Sequence, residues 1–325
     1  MNIAPFPKEI LDLFTVYSSF LIIGHQEPDG DCIGSQLALA SFLERLGKRC
    51  KLYSHGPFKR EEINEFSGLF QARIDPLDKI EAPLVVILDC STIDRIGDLA
   101  LDLQGLKVLV IDHHTSGEPF GDYRFLQSQA PSTTLLVYQL ILAMGHSPTL
   151  QEAKPLFLGL STDTGFFRHL EAETGAAFEM AGALVDLGVS PKASFAQIHG
   201  GKQLGNFQLM GLIISRTESF QNNKILYSWE SLTDRPKYGA DNRESDQIYQ
   251  ALQSVKNNDV VILLREESPG KITGGLRSKK FVNVGEVAKL FGGGGHFHAS
   301  GFAAQGTLKE IKEKLLKEIQ LQLPQ

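Results

Sequence analysis

Short, uninterrupted apolar runs alternate along the first half of the chain with stretches in which apolar residues recur every three to four positions. The runs within 20–25, 83–89 and 107–112 are of strand length and almost free of polar residues, as in strands covered on both faces. Residues 49–53 form a further candidate strand. Helical spacing marks 34–46, which stops at Gly47, and the segments 132–144 and 152–160. Strands alternating with helices predict an α/β fold with a doubly wound, mainly parallel sheet. In such sheets ligands sit beyond the carboxyl ends of the strands. From about Gly188 the texture changes: 189–201 contain a proline and several small residues, end in Gly-Gly and read as a helical linker. Beyond come a strand at 224–229, a helix at 244–254, paired strands at 260–265 and 271–277, a helix near 284–290 and a final helix from Leu308. The expected organisation is a domain over 1–188, a linker over 189–205 and a smaller α/β domain over 206–325, with a cleft between the two domains.

The chain has 325 residues, enough for about two domains and for a core that needs no disulfide or structural metal. With 42% hydrophobic and 22% charged residues it lies near the average of soluble globular proteins, which argues against long-range disorder. The net charge of −6 is unevenly spread: residues 1–205 hold 16 basic and 25 acidic side chains, residues 206–325 hold 16 and 13. An acidic half suits cations and a basic half suits phosphate, while the whole lacks the broad basic face of a long-duplex binder. Cys32, Cys50 and Cys90 are odd in number and lack CxxC spacing, which fits a reducing compartment. The N-terminal segment does not have the layout of a secretory signal, and no apolar run approaches the length of a membrane span. A cytoplasmic protein without a membrane partner is expected.

Four clusters of acids and imidazoles punctuate the first half, three of them just after a predicted strand. His25 ends the first strand, and a Pro-Asp-Gly turn carries Asp29 and Asp31 to the start of a helix. Two aspartates so placed can face neighbouring cations, although such turns also cap helices. Asp89 follows the second apolar run directly, and Asp112, His113 and His114 close the third. Burying three consecutive titratable groups costs energy unless partners or a metal satisfy them. Alternation along an extended chain sets His113 opposite to Asp112 and His114, so one imidazole can meet a metal and the other a substrate. Asp163 stands where a helix breaks before Thr164 and Gly165. Oxygen and imidazole donors without thiolates favour Mn²⁺ or Mg²⁺ over structural zinc. They exceed the needs of one ion, and two ions about 3.5–4 Å apart can share a carboxylate and a water that loses its proton more readily. In the second half, a run of glycines at 292–295 lets backbone N–H groups approach a phosphate closely. His296 stands beside that run, and Arg277 offers a bidentate fork to a terminal phosphate.

The ordered motifs H-x-x-P-D-G-D-x-x-G-S from His25, V-V-I-L-D ending at Asp89, V-I-D-H-H ending at His114 and S-T-D-T-G around Asp163 resemble the four motifs of the DHH phosphoesterase family. That family also includes RecJ-type exonucleases and family II inorganic pyrophosphatases. G-G-L-R-S ending at Ser278, V-N-V at 282–284 and F-G-G-G-G-H-F-H-A-S-G from Phe291 resemble its associated C-terminal domain, with one glycine more than the usual triplet. The resemblance covers most of the chain and is strongest to the short-chain oligoribonuclease and pAp (3′-phosphoadenosine 5′-phosphate) phosphatase subgroup, the nanoRNases.

The resemblance implies two Mn²⁺ ions, with Mg²⁺ or Co²⁺ as substitutes. His25, Asp29 and Asp89 correspond to ligands of one ion. Asp31, Asp89, His113 and Asp163 correspond to ligands of the other, with Asp89 bridging. Asp112 corresponds to a support for the histidines, and His114 to a charge stabiliser or general acid beside the scissile phosphate. Arg277, Ser278, Gly293, Gly294, Gly295, His296 and Ser300 correspond to the phosphate-binding set. The implied partners are short single-stranded RNA oligonucleotides, pAp or dinucleotides, without long duplex nucleic acid; a homodimer is compatible. The expected activity is hydrolysis of very short RNA to mononucleotides and of pAp to AMP. The alternatives are a pApA phosphodiesterase of cyclic-di-AMP turnover and a non-catalytic nucleotide sensor.

Overall fold

The computed structural model describes residues 4–90, 92–114, 118, 120–240 and 243–324. The chain divides into two compact units, Met1–Gly201 and Lys202–Gln325. In the first unit the strands β1 (Ser19–Ile23), β2 (Arg49–Tyr53), β3 (Leu84–Leu88), β4 (Lys107–Asp112) and β5 (Tyr123–Leu126) pair in the order β2-β1-β3-β4-β5, every pair parallel. Each residue of β3 is buried because its alternate side chains feed two cores on opposite faces. Leu84, Val86 and Leu88 pack with Phe20, Ile22, Leu109 and Ile111, in the core that also takes apolar side chains of the helices Gly30–Arg45, Thr133–Ala143 and Leu150–Asp163. Val85 and Ile87 pack with Leu21, Ile23, Val108 and Val110, against the segment Ile93–Leu103. The doubly wound parallel sheet predicted from the apolar runs is therefore present, covered on one face by Gly30–Arg45 and the helices that follow β5 and on the other by the segment between β3 and β4.

β5 and the helices Lys8–Val16 and Gly175–Asp186 have no counterpart in the sequence-based expectation. β5 lies at the sheet's edge, and of its four residues only Phe125 is buried. An edge strand needs no continuous apolar run, so periodicity does not reveal it; Phe125 stacks on Phe6 with ring centroids 3.8 Å apart. The helices Gly30–Arg45 and Leu150–Asp163 pack side by side, and Gly159 sits at the approach. A Cβ there would stand 2.4 Å from Thr134 Cγ2 and 2.9 Å from Asp31 Oδ1, so only glycine allows the helix to lie this close.

Within 189–205, residues Pro191–His199 form a helix capped by Ser190. It belongs to the first unit: Gln197 Nε2 donates to Glu62 O at 3.2 Å, and Ile198 packs with Ile33 and Ile63. The next helix, Leu204–Ser215, belongs to the second unit.

Among the described residues, the second unit has six strands: β6 (Glu218–Phe220), β7 (Ile225–Glu230), β8 (Val260–Ser268), β9 (Lys271–Ser278), β10 (Gly294–Gly295) and β11 (Ala299–Gln305), in the order β10-β11-β9-β8-β7-β6. Only β7 and β8 pair in parallel; the other pairs are antiparallel. One face packs against the helices Val284–Lys289 and Leu308–Gln322 through Val287, Ile311, Leu315 and Ile319. The other packs against Leu204–Ser215 and Ser245–Gln253 through Leu209, Ile213 and Ile248. Among the described residues, no helix is long and apolar enough to cross a membrane.

Candidate metal centre

The parallel register determines where the polar clusters go. Ile23 of β1 pairs with Ile87 of β3, and Leu88 pairs with Ile111 of β4. His25, Asp89 and Asp112 therefore emerge at one edge of the sheet, at the carboxyl ends of neighbouring strands. Asp29 caps the helix that follows β1, its Oδ1 accepting the N–H groups of Asp31 and Cys32 at 3.1 Å each. Asp163 is the last residue of the adjacent helix Leu150–Asp163. The structure brings all six expected metal-ligating residues together. His25 Nε2 lies 3.7 Å from Asp29 Oδ1 and 3.5 Å from Asp89 Oδ2. His113 Nε2 lies 3.4 Å from Asp89 Oδ1, 3.4 Å from Asp163 Oδ2 and 3.9 Å from Asp31 Oδ2. Asp89 thus stands between the two imidazoles and turns one oxygen to each.

The hydrogen bonds assign the ring tautomers. His25 Nδ1 lies 2.8 Å from Gln26 O, and His113 Nδ1 lies 3.1 Å from Ala130 O. A carbonyl only accepts, so each Nδ1 carries the proton. In the neutral ring each Nε2 then aims a lone pair at carboxylate oxygens, an arrangement that repels unless positive charge lies between. His113 Nε2 is buried and has no hydrogen-bond partner among the described residues. The titration behaviour expresses the same demand. Burial opposes the charged form of His113, but Asp89, Asp31 and Asp163 outweigh it and push its pKa up to about 10. Burial works against the charged His25 as well, and Cys32, Asp29 and Asp89 raise its pKa well above the ordinary imidazole value. Burial and the neighbouring Asp89 carry Asp163 up to about 6. Burial, Asp89 and Asp163 raise Asp31 well above its ordinary carboxylate value. Asp89 moves the other way, because the two imidazoles outweigh its burial. Protons are drawn to positions that divalent cations would fill, and a set of carboxylate oxygens with two Nε2 atoms fits such cations.

Asp112 and His114 form a separate pair at the edge of this cluster. Asp112 Oδ1 accepts the backbone N–H groups of His113 at 2.8 Å and His114 at 3.2 Å, and lies 2.8 Å from His114 Nδ1. The His114 Nδ1–H donates to the buried carboxylate, which leaves Nε2 of this part-exposed ring for another partner. The hydrogen bond to Asp112 raises the His114 pKa, against burial. The two imidazoles do not lie on opposite sides, as strand alternation predicts: their centroids are 4.5 Å apart. β4 ends at Asp112, and the chain bends around that carboxylate.

Two residues of this cluster escaped sequence reasoning. Thr133 Oγ1 donates to Asp89 Oδ1 at 3.0 Å, and Thr134 Oγ1 donates to Asp31 Oδ1 at 2.7 Å. The backbone N–H groups of Thr133 and Thr134, at the N-terminus of the helix Thr133–Ala143, also donate to Asp31, at 2.5 and 2.9 Å. The positive end of a helix therefore faces a fully buried carboxylate. The available signal was the polar triplet Ser132, Thr133 and Thr134 heading an otherwise apolar helix.

The second unit holds the expected phosphate-binding residues. Arg277, on β9, stacks over the Tyr249 ring at 4.5 Å and donates from Nη1 to Leu276 O at 3.1 Å. Gly293 leads into β10, which Gly294 and Gly295 form, and Gly295 adopts φ 146, where a Cβ would strike Ala299 O at 2.5 Å. His296 is exposed, and its backbone N–H donates to Ala299 O at 2.8 Å. The hydroxyls of Ser278 and Ser300 turn inward. Ser278 Oγ donates to Phe297 O at 3.2 Å. The Ser300 hydroxyl, expected to donate to a phosphate, donates instead to Val284 O at 2.6 Å, because a buried hydroxyl needs an acceptor within the protein.

Residues 19–160 match the DHH family N-terminal domain, and residues 222–323 match the DHHA1 domain. The chain is 28% identical over 316 residues to the bifunctional oligoribonuclease and PAP phosphatase NrnA of Thermus thermophilus, a match covering 96% of this chain and 92% of that protein. Its namesake from Bacillus subtilis is 26% identical over 300 residues, covering 90% and 91%. Among solved structures, an exopolyphosphatase-related protein from Bacteroides fragilis shares the fold with a TM-score of 0.83 at 22% identity, over 97% of this chain and 95% of that one. RecJ of Thermus thermophilus in complex with Mn²⁺ gives a TM-score of 0.56 at 17% identity, over 99% of this chain and 56% of that one. Matched in both of its units, the chain belongs to the DHH family of phosphoesterases.

Proposed function

We propose that this enzyme is a Mn²⁺-dependent phosphohydrolase that degrades very short RNA oligonucleotides to mononucleotides and dephosphorylates pAp to AMP. The observation that carries the reading is the pair of imidazole Nε2 atoms aimed at Asp89 from two sides, at 3.5 and 3.4 Å. In this reading His25, Asp29 and Asp89 hold one ion, and Asp31, Asp89, His113 and Asp163 hold the other. Two cations so held supply a water of lowered pKa and neutralise charge on the phosphoryl oxygens. The chain's own residues do the rest. Asp112 fixes the His114 ring through Nδ1, and His114 Nε2 stabilises charge on the scissile phosphate or protonates the leaving oxygen. Arg277, Gly293, Gly294, Gly295 and His296 hold the terminal phosphate, with Ser278 and Ser300 bracing the loop beneath them. The modest identity to the two NrnA proteins supports the substrate class, and an excess of only three basic over acidic side chains in residues 206–325 suits short rather than long strands. A cytoplasmic site of action belongs to the same reading.

The test is product analysis with Mn²⁺ on 5′-labelled RNA of 2 to about 24 nucleotides, a range that separates few from many phosphate contacts. The panel also includes pAp, pApA and pyrophosphate, with Asp89→Ala as control. Mononucleotides from the shortest RNAs and AMP from pAp, both absent in the control, are expected. Preference for the longest RNA refutes the short-substrate reading, and no turnover of any substrate refutes the enzymatic one.

A further inference from the structure

Beside the candidate metal centre, on the side of His25 and Asp29, the first unit contains a cavity of about 480 Å³ whose remaining walls include His55, Arg60 and Arg95. Three loops build it, those that follow β1, β2 and β3. Backbone hydrogen bonds tie them together: Gln26 N–H donates to Arg95 O at 2.7 Å, and Glu27 N–H donates to Gly56 O at 2.9 Å. The His55 ring lies on Gly97, where φ is 62 and a Cβ would stand 2.4 Å from the imidazole. The charges on this wall are unbalanced. Among the described residues, no carboxylate forms an ion pair with Arg60 or Arg95. The two acids that line the cavity are engaged elsewhere, Glu27 by Lys59 and Asp29 by His25 and the helix N–H groups it caps. One end of the cavity is thus made by metal-ligand candidates and the other by two guanidinium groups without acidic partners, the side chain best matched to a phosphate.

We propose that this cavity binds a third phosphate of an oligonucleotide, the one beyond the scissile phosphate on the side away from the terminal phosphate. The inference rests on the proposed function, in which one phosphate lies at the metals and the terminal phosphate lies on Arg277 and the glycine run. Substrates with only two phosphates, such as pAp and pApA, leave the arginine cavity empty. A 5′-phosphorylated trinucleotide fills it. Arg60 and Arg95 therefore discriminate by length, favouring three nucleotides over two.

The experiment compares pApApA with pApA in the parent protein and in Arg60→Ala and Arg95→Ala. Turnover is measured with Mn²⁺, and equilibrium binding in a His114→Ala background. A charge-assisted phosphate contact corresponds to about a tenfold or larger effect, so the trinucleotide-over-dinucleotide ratio of KM and of Kd should collapse by about tenfold per arginine. The slope of log affinity against log salt for the trinucleotide should flatten by about 0.7 with each arginine removed, which a merely structural effect would not produce. Equal weakening of both substrates, or a parent that binds the trinucleotide no more tightly than the dinucleotide, overturns the inference. Failure of the parent to hydrolyse pAp or either oligonucleotide defeats the proposed function instead, and the binding ratios still decide the subsite.

Discussion

Replacing Thr133 by valine nearly keeps the shape of the side chain and exchanges its hydroxyl for a methyl group. The lost bond is the 3.0 Å donation from Thr133 Oγ1 to Asp89 Oδ1, the carboxylate oxygen that also faces His113 Nε2. The Thr133 N–H bond to Asp31 is a backbone bond and survives the change. Thr133 is fully buried, so water does not replace the lost donor. A hydrogen bond to a charged group is worth about 1.5–3 kcal/mol, and loss of a partner to a metal-ligating group typically costs about 10- to 100-fold in metal affinity. At about 1.4 kcal/mol per tenfold, these two scales agree. Calorimetric titration of the metal-free protein with Mn²⁺ should therefore give a dissociation constant about 10- to 100-fold weaker in Thr133→Val, with most of the loss restored in Thr133→Ser. Affinity within twofold of the parent in the valine variant would refute the claim that this hydroxyl orients Asp89. Equal loss in the serine variant would point to packing rather than the donor.

Further outcomes can be checked independently. Gly159→Ala places a methyl group against Thr134 and Asp31 and should destabilise the first unit by about 1–3 kcal/mol in urea unfolding. Adding Mn²⁺ at about 100 times its dissociation constant should raise the unfolding free energy by about 2.7 kcal/mol, read as a rise in melting temperature that EDTA reverses. Asp234 in the second unit accepts from Arg216 at 2.7 and 3.3 Å and from Ser231 N at 2.7 Å. Burial raises its pKa, but these bonds outweigh it and hold the group below its ordinary 3.8. Its contribution is then present above that value and disappears as the pH falls through the lower folded value. Asp234→Asn should melt below the parent at pH 7, and the gap should narrow as the pH falls below the ordinary carboxylate value and the parent's own carboxylate is protonated.

Much of this protein is written in local pattern. The apolar runs that became β1, β3 and β4 are continuous because both faces of those strands are covered, and any residue directly after such a run must appear at one edge of a parallel sheet. That is why His25, Asp89, Asp112 and the two histidines could be assembled as one cluster from order alone, and why the turn at Asp29 could be placed at a helix start. Only the tertiary structure decided the rest. Strand alternation set His113 and His114 apart, whereas the chain bends at Asp112 and brings their rings to 4.5 Å. The edge strand β5 carries one buried residue and so has no periodic signal. Thr133 and Thr134 lie more than forty positions beyond Asp89, and their hydroxyls acquire a role only because a helix N-terminus is packed beneath two aspartates. Arg60 and Arg95 are likewise unremarkable as letters, since whether a guanidinium is free to meet a phosphate depends on which acids the fold assigns elsewhere. Periodicity is a property of neighbouring residues and survives in the sequence. Partner choice among buried polar groups depends on distances between segments far apart in the chain, and those distances exist only after folding.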